Sequence, residues 1–136
     1  MLPRAYIGFA NGAKCSTQNL SFSAWVIYSP IDELVAIHGI CLCQTTNNIA
    51  EYITVIELLF DDITFGICQL IIRLDSKRVV LNLNGVYSVI SDSMLRMFLW
   101  VCLLEREIDY IEYQHIPINL NTLTYALANY VLNWHL

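Results

Sequence analysis

The hydrophobic period of this chain first changes at Thr46, and that change constrains the fold more than any other feature. Before it, Ala5 to Ala10, Phe22 to Tyr28 and Leu34 to Leu42 are short runs rich in β-branched and aromatic residues, the pattern of strands. Asn11-Gly12 is a turn signal after the first run, and Ser29-Pro30-Ile31-Asp32 separates the other two, so the three read as an antiparallel meander. After it, Ile49, Ile53, Ile56 and Phe60 recur at i, i+4, i+7 and i+11, one stripe of a helix. Thr46 or Asn47 is its expected N-cap and Gly66 its stop, by the preferences of helix ends.

Leu70 to Leu74 is a short continuous apolar run, as expected of a strand covered on both faces. A short helix follows near Lys77 to Leu83, then a loop through Asn84-Gly85, then a longer helix from about Ser91 to Arg106. That longer helix, with Trp100 and Cys102, is apolar nearly all round and is read as buried rather than as a partner surface. Ile108 to Gln114 alternates like a strand and ends at His115-Ile116-Pro117, and Leu123, Leu127, Tyr130, Val131 and Trp134 form the stripe of a last helix. The order βββαβααβα predicts an α/β domain: a mixed five-stranded sheet, three antiparallel strands and then parallel ones, with helices on both faces.

At 136 residues the chain is expected to be one domain, residues 1–136. Hydrophobic residues make up 57% and charged ones 14%, which excludes disorder and a charge-laced coiled coil. The densest apolar stretch, Met97 to Leu104, is far short of the roughly 20 residues of a membrane-spanning helix, and Met1 to Ala10 carries no export signal. Five cysteines, Cys15, Cys41, Cys43, Cys68 and Cys102, are an odd number and predict reduced thiols in an intracellular compartment. Cys41 and Cys43 share a strand face without a second ligand pair at zinc spacing. Seven Lys and Arg against twelve Asp and Glu give a net charge of -5, a poor electrostatic footprint for tight nucleic-acid binding.

The crevice beyond the carboxyl ends of the first and fourth strands would hold Asn11 and Asp75. Glu51 is two residues from both Ile49 and Ile53, about 200° round the helix from their stripe. On their own, the two acids read first as a dipole-complementing Glu and a turn or capping Asp. In the opposite direction, acids converging at strand ends are what hard divalent ions need for phosphoryl chemistry.

Five blocks then stand in order: Thr46-Asn47-Asn48-Ile49-Ala50-Glu51-Tyr52; Leu74-Asp75-Ser76; Leu81-Asn82-Leu83-Asn84-Gly85-Val86-Tyr87; His115-Ile116-Pro117; and Asn121 six residues after the His. They resemble the signature blocks of the type 1 ribonuclease H family, most closely the ribonuclease H region of gypsy-type plant retrotransposon polyproteins, from Tyr6 to Trp134. The resemblance implies a five-stranded mixed sheet whose four acids bind two Mg²⁺ ions, with Mn²⁺ as a substitute, and cut the RNA strand of an RNA·DNA hybrid. It assigns the second and third acids to Glu51 and Asp75 and the family's mobile histidine to His115. The first acid's place is taken by Asn11, in Asn11-Gly12-Ala13, and the fourth acid's by Tyr125.

Asn11 offers only a neutral carbonyl, and the Tyr125 phenol, with an ordinary pKa near 10, is uncharged at neutral pH. The resemblance therefore implies weak metal binding and weak or absent hydrolysis. It implies hybrid contacts at Asn48, Ser76, Lys77, Arg78 and Asn121, but from Lys77 to Leu104 only Lys77, Arg78 and Arg96 are basic, so the expected grip is weak. The alternative expectation is a non-catalytic connector or protein-interaction module on the same fold, with a protein partner or a former reverse transcriptase polyprotein as its context.

Overall fold

The structure, a computed structural model, describes residues 4–15, 20–42, 45–89, 91–124 and 126–127. Strands β1 (Tyr6–Cys15), β2 (Leu20–Tyr28) and β3 (Leu34–Leu42) precede helix α1 (Asn47–Phe65), strand β4 (Gln69–Leu74), helices α2 (Lys77–Leu83) and α3 (Asp92–Glu105), strand β5 (Tyr110–His115) and a 3₁₀ turn at Ile118–Leu120. One five-stranded sheet has the order β3-β2-β1-β4-β5. β1 and β3 flank β2 antiparallel, while β4 runs parallel to both β1 and β5. This is the expected mixed sheet. Of the last helix, residues 122–124 and 126–127 are helical, whereas Cys43, Tyr125, Tyr130, Val131 and Trp134 lie outside the described residues.

Helix ends follow their local chemistry. Thr46 Oγ1 accepts the Ile49 amide at 3.2 Å, and Gly66, at φ 73°, ends α1 in the left-handed conformation. Ser76 and Ser91 cap α2 and α3 through the amides of Val79 and Met94.

Three expectations are corrected. Asn11-Gly12 is not a turn: β1 continues through it, pairing Asn11 with Ala24 and Gly12 with Ser23. Glycine is there for proximity, because a Cβ at Gly12 would overlap the Ala50 carbonyl and the Glu51 amide nitrogen of α1. Second, the buried face of α1 is not the Ile49, Ile53, Ile56 and Phe60 stripe; of these only Ile56 is buried, and the inner face is centred on Glu51, Val55, Leu58, Leu59 and Asp62. α1 is apolar on most of its circumference, and counting apolar residues alone hides a face that also carries acids. Third, α3 is not buried. It lies against α1 rather than on the sheet, so only one side is covered: Val101 is fully buried, whereas Leu95, Leu99, Trp100 and Leu103 are exposed.

The main core lies between the sheet and α1. Trp25 and Ile27 of β2 and Leu70, Ile72 and Leu74 of β4 meet Val55, Leu58 and Leu59 there. On the opposite sheet face, Phe22 and Ala24 pack with Leu20 and Leu127.

Asp62 is fully buried in this core, and neither carboxylate oxygen has a hydrogen-bond partner. Burial first, and then the neighbouring Asp61 charge, raise its pKa to about 8. The unfolded chain releases this proton near the ordinary 3.8 and the folded chain holds it until about 8, so its contribution to stability falls as pH rises across that window and levels off above it. Asp62→Asn should remove one proton's worth of slope, ~1.4 kcal/mol per pH unit at its steepest. Urea unfolding of both proteins between pH 5 and pH 8 measures the difference, and equal slopes would show that Asp62 is already ionised in the fold.

Candidate active site

Register builds the site. Ala10 of β1 pairs with Leu74 of β4, and Leu74 pairs with His115 of β5. Asn11 and Asp75 are the next residues along β1 and after β4, so both leave the same end of the sheet together, with His115 in line beside them. α1 then lays its first turn across this end at Gly12. The Gly12 N–H donates to Glu51 Oε1 at 2.7 Å, inside the protein, and Ser23 Oγ donates to the Ala50 carbonyl at 3.3 Å. Glu51 is thereby only 2% exposed, and it stands just past the first turn of α1, which carries no acid, so it is not a solvated, dipole-complementing glutamate.

The two acids meet. Burial first, and then the Asp75 charge, raise the Glu51 pKa well above its ordinary value, with the Gly12 N–H opposing. Asp75 is also raised by burial, against which act a hydrogen bond from Asn121, its contact with Glu51 and the charge of His115. Glu51 Oε2 and Asp75 Oδ2 have no donor among the described residues, and neither has Asn11 Nδ2 an acceptor. With both acids ionised, two buried oxygens face each other unsatisfied; a shared proton or a cation resolves this.

These donors can be tested against the family's ion pair. Two hard carboxylate oxygens without partners, with an amide beside them, fit one divalent cation such as Mg²⁺. Among the described residues no third His, Cys, Asp or Glu side chain joins them, so the family's four-acid set is incomplete here. Tyr125 lies outside the described residues.

The other expected contact positions differ in exposure. Lys77 and Arg78 are exposed in the first turn of α2, immediately after Asp75 and its neighbour Ser76, whose hydroxyl caps that helix. Asn48 is half-buried in the first turn of α1, and His115 is exposed at the rim. Asn121 is buried: its Nδ2 donates to the Ala10 carbonyl at 2.9 Å, and Thr124 Oγ1 donates to its side-chain oxygen. It fastens the segment after β5 to the strand residue preceding Asn11. Sequence reasoning missed the support beneath the site, where the buried Tyr52 hydroxyl donates to Asn82 Oδ1 at 3.2 Å and Asn82 Nδ2 donates to the Tyr87 carbonyl at 3.1 Å. The Asn82 to Tyr87 block was legible only as a resemblance; it ties α2 and its loop, turned at Gly85 with φ 76°, to α1.

A mixed sheet of this order, with acids from α1 and from the end of β4 gathered at one end of its central strands, defines a ribonuclease H-like domain of the RNase H1 kind. The chain belongs to the reverse transcriptase-like family, whose model matches residues 9–131. It is 31% identical over 86 residues to the bifunctional protein Rv2228c of Mycobacterium tuberculosis, an alignment covering 63% of this chain and 24% of that protein. The chain thus spans about a quarter of that curated relative. Among solved structures, RNase H1 of the halophilic archaeon Halobacterium salinarum NRC-1 superimposes with a TM-score of 0.89 at 27% identity, covering 95% of this chain and 98% of that one. LC11-RNase H1 in complex with an RNA/DNA hybrid has the same fold, with a TM-score of 0.89 at 23% identity over 96% of this chain and 98% of that one.

Glu51→Gln keeps an oxygen for the Gly12 N–H and removes the charge repelled by Asp75. In metal-free buffer near pH 7 this substitution should raise Tm by a few degrees, on the order of 1 kcal/mol, and abolish any rise in Tm produced by Mg²⁺. Melting curves of both proteins in EDTA and in Mg²⁺ test this; a variant less stable than the parent in EDTA would mean that the metal-free fold already satisfies Glu51, as an anion or through a proton shared with Asp75.

Proposed function

We propose that this chain is an RNA·DNA hybrid-binding RNase H1-like domain of retroelement origin, of the gypsy-type plant retrotransposon kind, whose hydrolytic site is impaired. One observation carries the reading: the buried Glu51 meets the half-buried Asp75, each with one buried unpartnered oxygen, and the strand position beside them holds the neutral amide of Asn11. The five sequence blocks support the retroelement origin, and the hybrid bound by LC11-RNase H1 supports the substrate class. The odd number of cysteines supports an intracellular setting.

In the proposed mechanism Glu51 Oε2, Asp75 Oδ2 and the Asn11 amide would hold one Mg²⁺ or Mn²⁺, weakly. When bound, such an ion supplies Lewis-acid polarisation of a phosphoryl oxygen. The chain's own residues do the rest. The Gly12 N–H fixes the Glu51 carboxylate, and Asn121 fixes Asp75 and the end of β1. Lys77 and Arg78, exposed beside Asp75, attract backbone phosphates in a salt-dependent way. His115 stands exposed at the rim. The two carboxylates would offset the charge of one divalent ion and leave none for a second, so the family's two-ion hydrolysis would be impaired.

A second reading, a protein-interaction module on the same fold, is favoured by the exposed apolar side of α3, which nucleic-acid binding does not use. Salt-sensitive affinity for hybrid separates the first reading from the second.

The purified chain should cut an RNA·DNA hybrid in Mg²⁺ or Mn²⁺ slowly or not at all. Asn11→Asp with Tyr125→Asp should restore measurable cleavage where neither change alone does, because residues acting as a unit are strongly non-additive. Cleavage by the unmodified chain at a rate that Glu51→Gln abolishes would overturn the proposed impairment.

A further inference from the structure

The outer side of α3 carries an apolar stripe with Asp92 and Arg106 at its ends and the exposed Arg96 on its flank. Leu99 is at its centre and 52% exposed, while Leu95 and Leu103, each four residues away, are 39% and 57% exposed. Asp92 and Arg106, each seven residues from Leu99, are exposed too. Residues seven apart on a helix fall within about 20° of one another, so Asp92, Leu99 and Arg106 lie along one line with the other two leucines flanking it. Arg106 keeps helical backbone angles, φ -63° and ψ -21°, as the C-cap, so the line runs to the helix end. Trp100, 44% exposed, borders the stripe and packs edge to face on Phe60 of α1, with ring centroids 6.2 Å apart.

This arrangement is complementary to itself. If a second copy is laid antiparallel, with a two-fold axis at Leu99, then Leu99 meets Leu99, Leu95 meets Leu103, and Asp92 of each copy meets Arg106 of the other. An isologous interface requires this kind of symmetry, and the two end charges make the antiparallel register the favourable one, since a parallel pairing would set Asp92 on Asp92 and Arg106 on Arg106. We propose that the occupant of this face is a second copy of the chain, docked α3 to α3 as an antiparallel two-fold dimer. A 14-residue helix is about 21 Å long, and one such face falls below the roughly 800 Å² per partner of a standard interface, so the dimer is weak and its population depends on concentration.

Sedimentation velocity on the purified chain across micromolar concentrations tests the proposal. The sedimentation coefficient should rise from monomer towards dimer with concentration. Leu99→Lys, which sets two like charges on the axis, should hold the chain monomeric throughout. Asp92→Arg and Arg106→Asp should each weaken association several-fold, while the double variant, with the charges exchanged, should recover most of it. Ile37→Lys on the exposed edge strand β3 should leave association unchanged. All these positions are exposed, and circular dichroism confirms that each variant is folded. A parent chain monomeric at every concentration, a double variant no better than the singles, or a dimer lost with Ile37→Lys but kept with Leu99→Lys would overturn the proposal.

Discussion

The close approach of α1 to β1 is the constraint on which the rest of the structure depends. Gly8 and Gly12 lie on the same face of β1, and each clears space for the helix: a Cβ at Gly8 would press on the Leu58 side chain, and one at Gly12 would overlap the backbone at Ala50 and Glu51. Two glycines four residues apart on one strand therefore make a track on which a helix can rest almost backbone to backbone. The start of α1, seated in that track, brings the Glu51 carboxylate onto the Gly12 N–H, and the rotation of the helix is then set. That rotation carries Val55, Leu58 and Leu59 over the sheet. It also carries Asp62 into the core at the far end, where its cost is tolerated because a protonated carboxyl is far cheaper to bury than a charged one.

Much of the architecture was legible in the sequence, because strands and helices announce themselves by period and their ends by local chemistry. Thr46, Gly66, Ser76 and Ser91 do what their residue types suggest, and α2 runs from Lys77 to Leu83 as its pattern indicates. What misled was signals with two causes. Asn-Gly is a turn dipeptide, yet a glycine is equally the residue needed where two backbones touch, and sequence alone does not separate the uses. Nor could the inner face of α1 be found by hydrophobicity, because Glu51, Thr54 and Asp62 lie on it. The site itself was legible only by resemblance. Glu51 and Asp75 belong to different elements, and only the β1–β4 register brings their surroundings together.

α3 illustrates the opposite failure. Its composition reads as that of an interior helix, yet as the outer layer over α1 it has one neighbour and therefore one covered side. A helix apolar on both sides and covered on one leaves an exposed apolar face, which monomeric proteins seldom keep without use. With net charge -5, the molecule as a whole repels both nucleic acid and its own copies at long range. Association of either kind must then be decided locally, by Lys77 and Arg78 beside the acids or by the stripe and end charges of α3.

The character of position 11 bears on how the site came to be as it is. Asn11 is 4% exposed, and its Nδ2 has no acceptor among the described residues, an arrangement that costs about 1–3 kcal/mol. Had this end of the sheet been reshaped for stability alone, an apolar residue there, as at Ala10 and Ala24 beside it, would serve better. The unpartnered acids tell the same story, since burial and the Asp75 charge both make the Glu51 carboxylate costly to ionise in the metal-free fold. A polar amide, two facing carboxylates and a glycine that holds one of them are a set of choices unfavourable to the core and intelligible only at a site. On the proposed reading, one atom of the side chain at position 11 changed its chemistry while the scaffold that aims it, from Gly12 to Asn121, stayed intact.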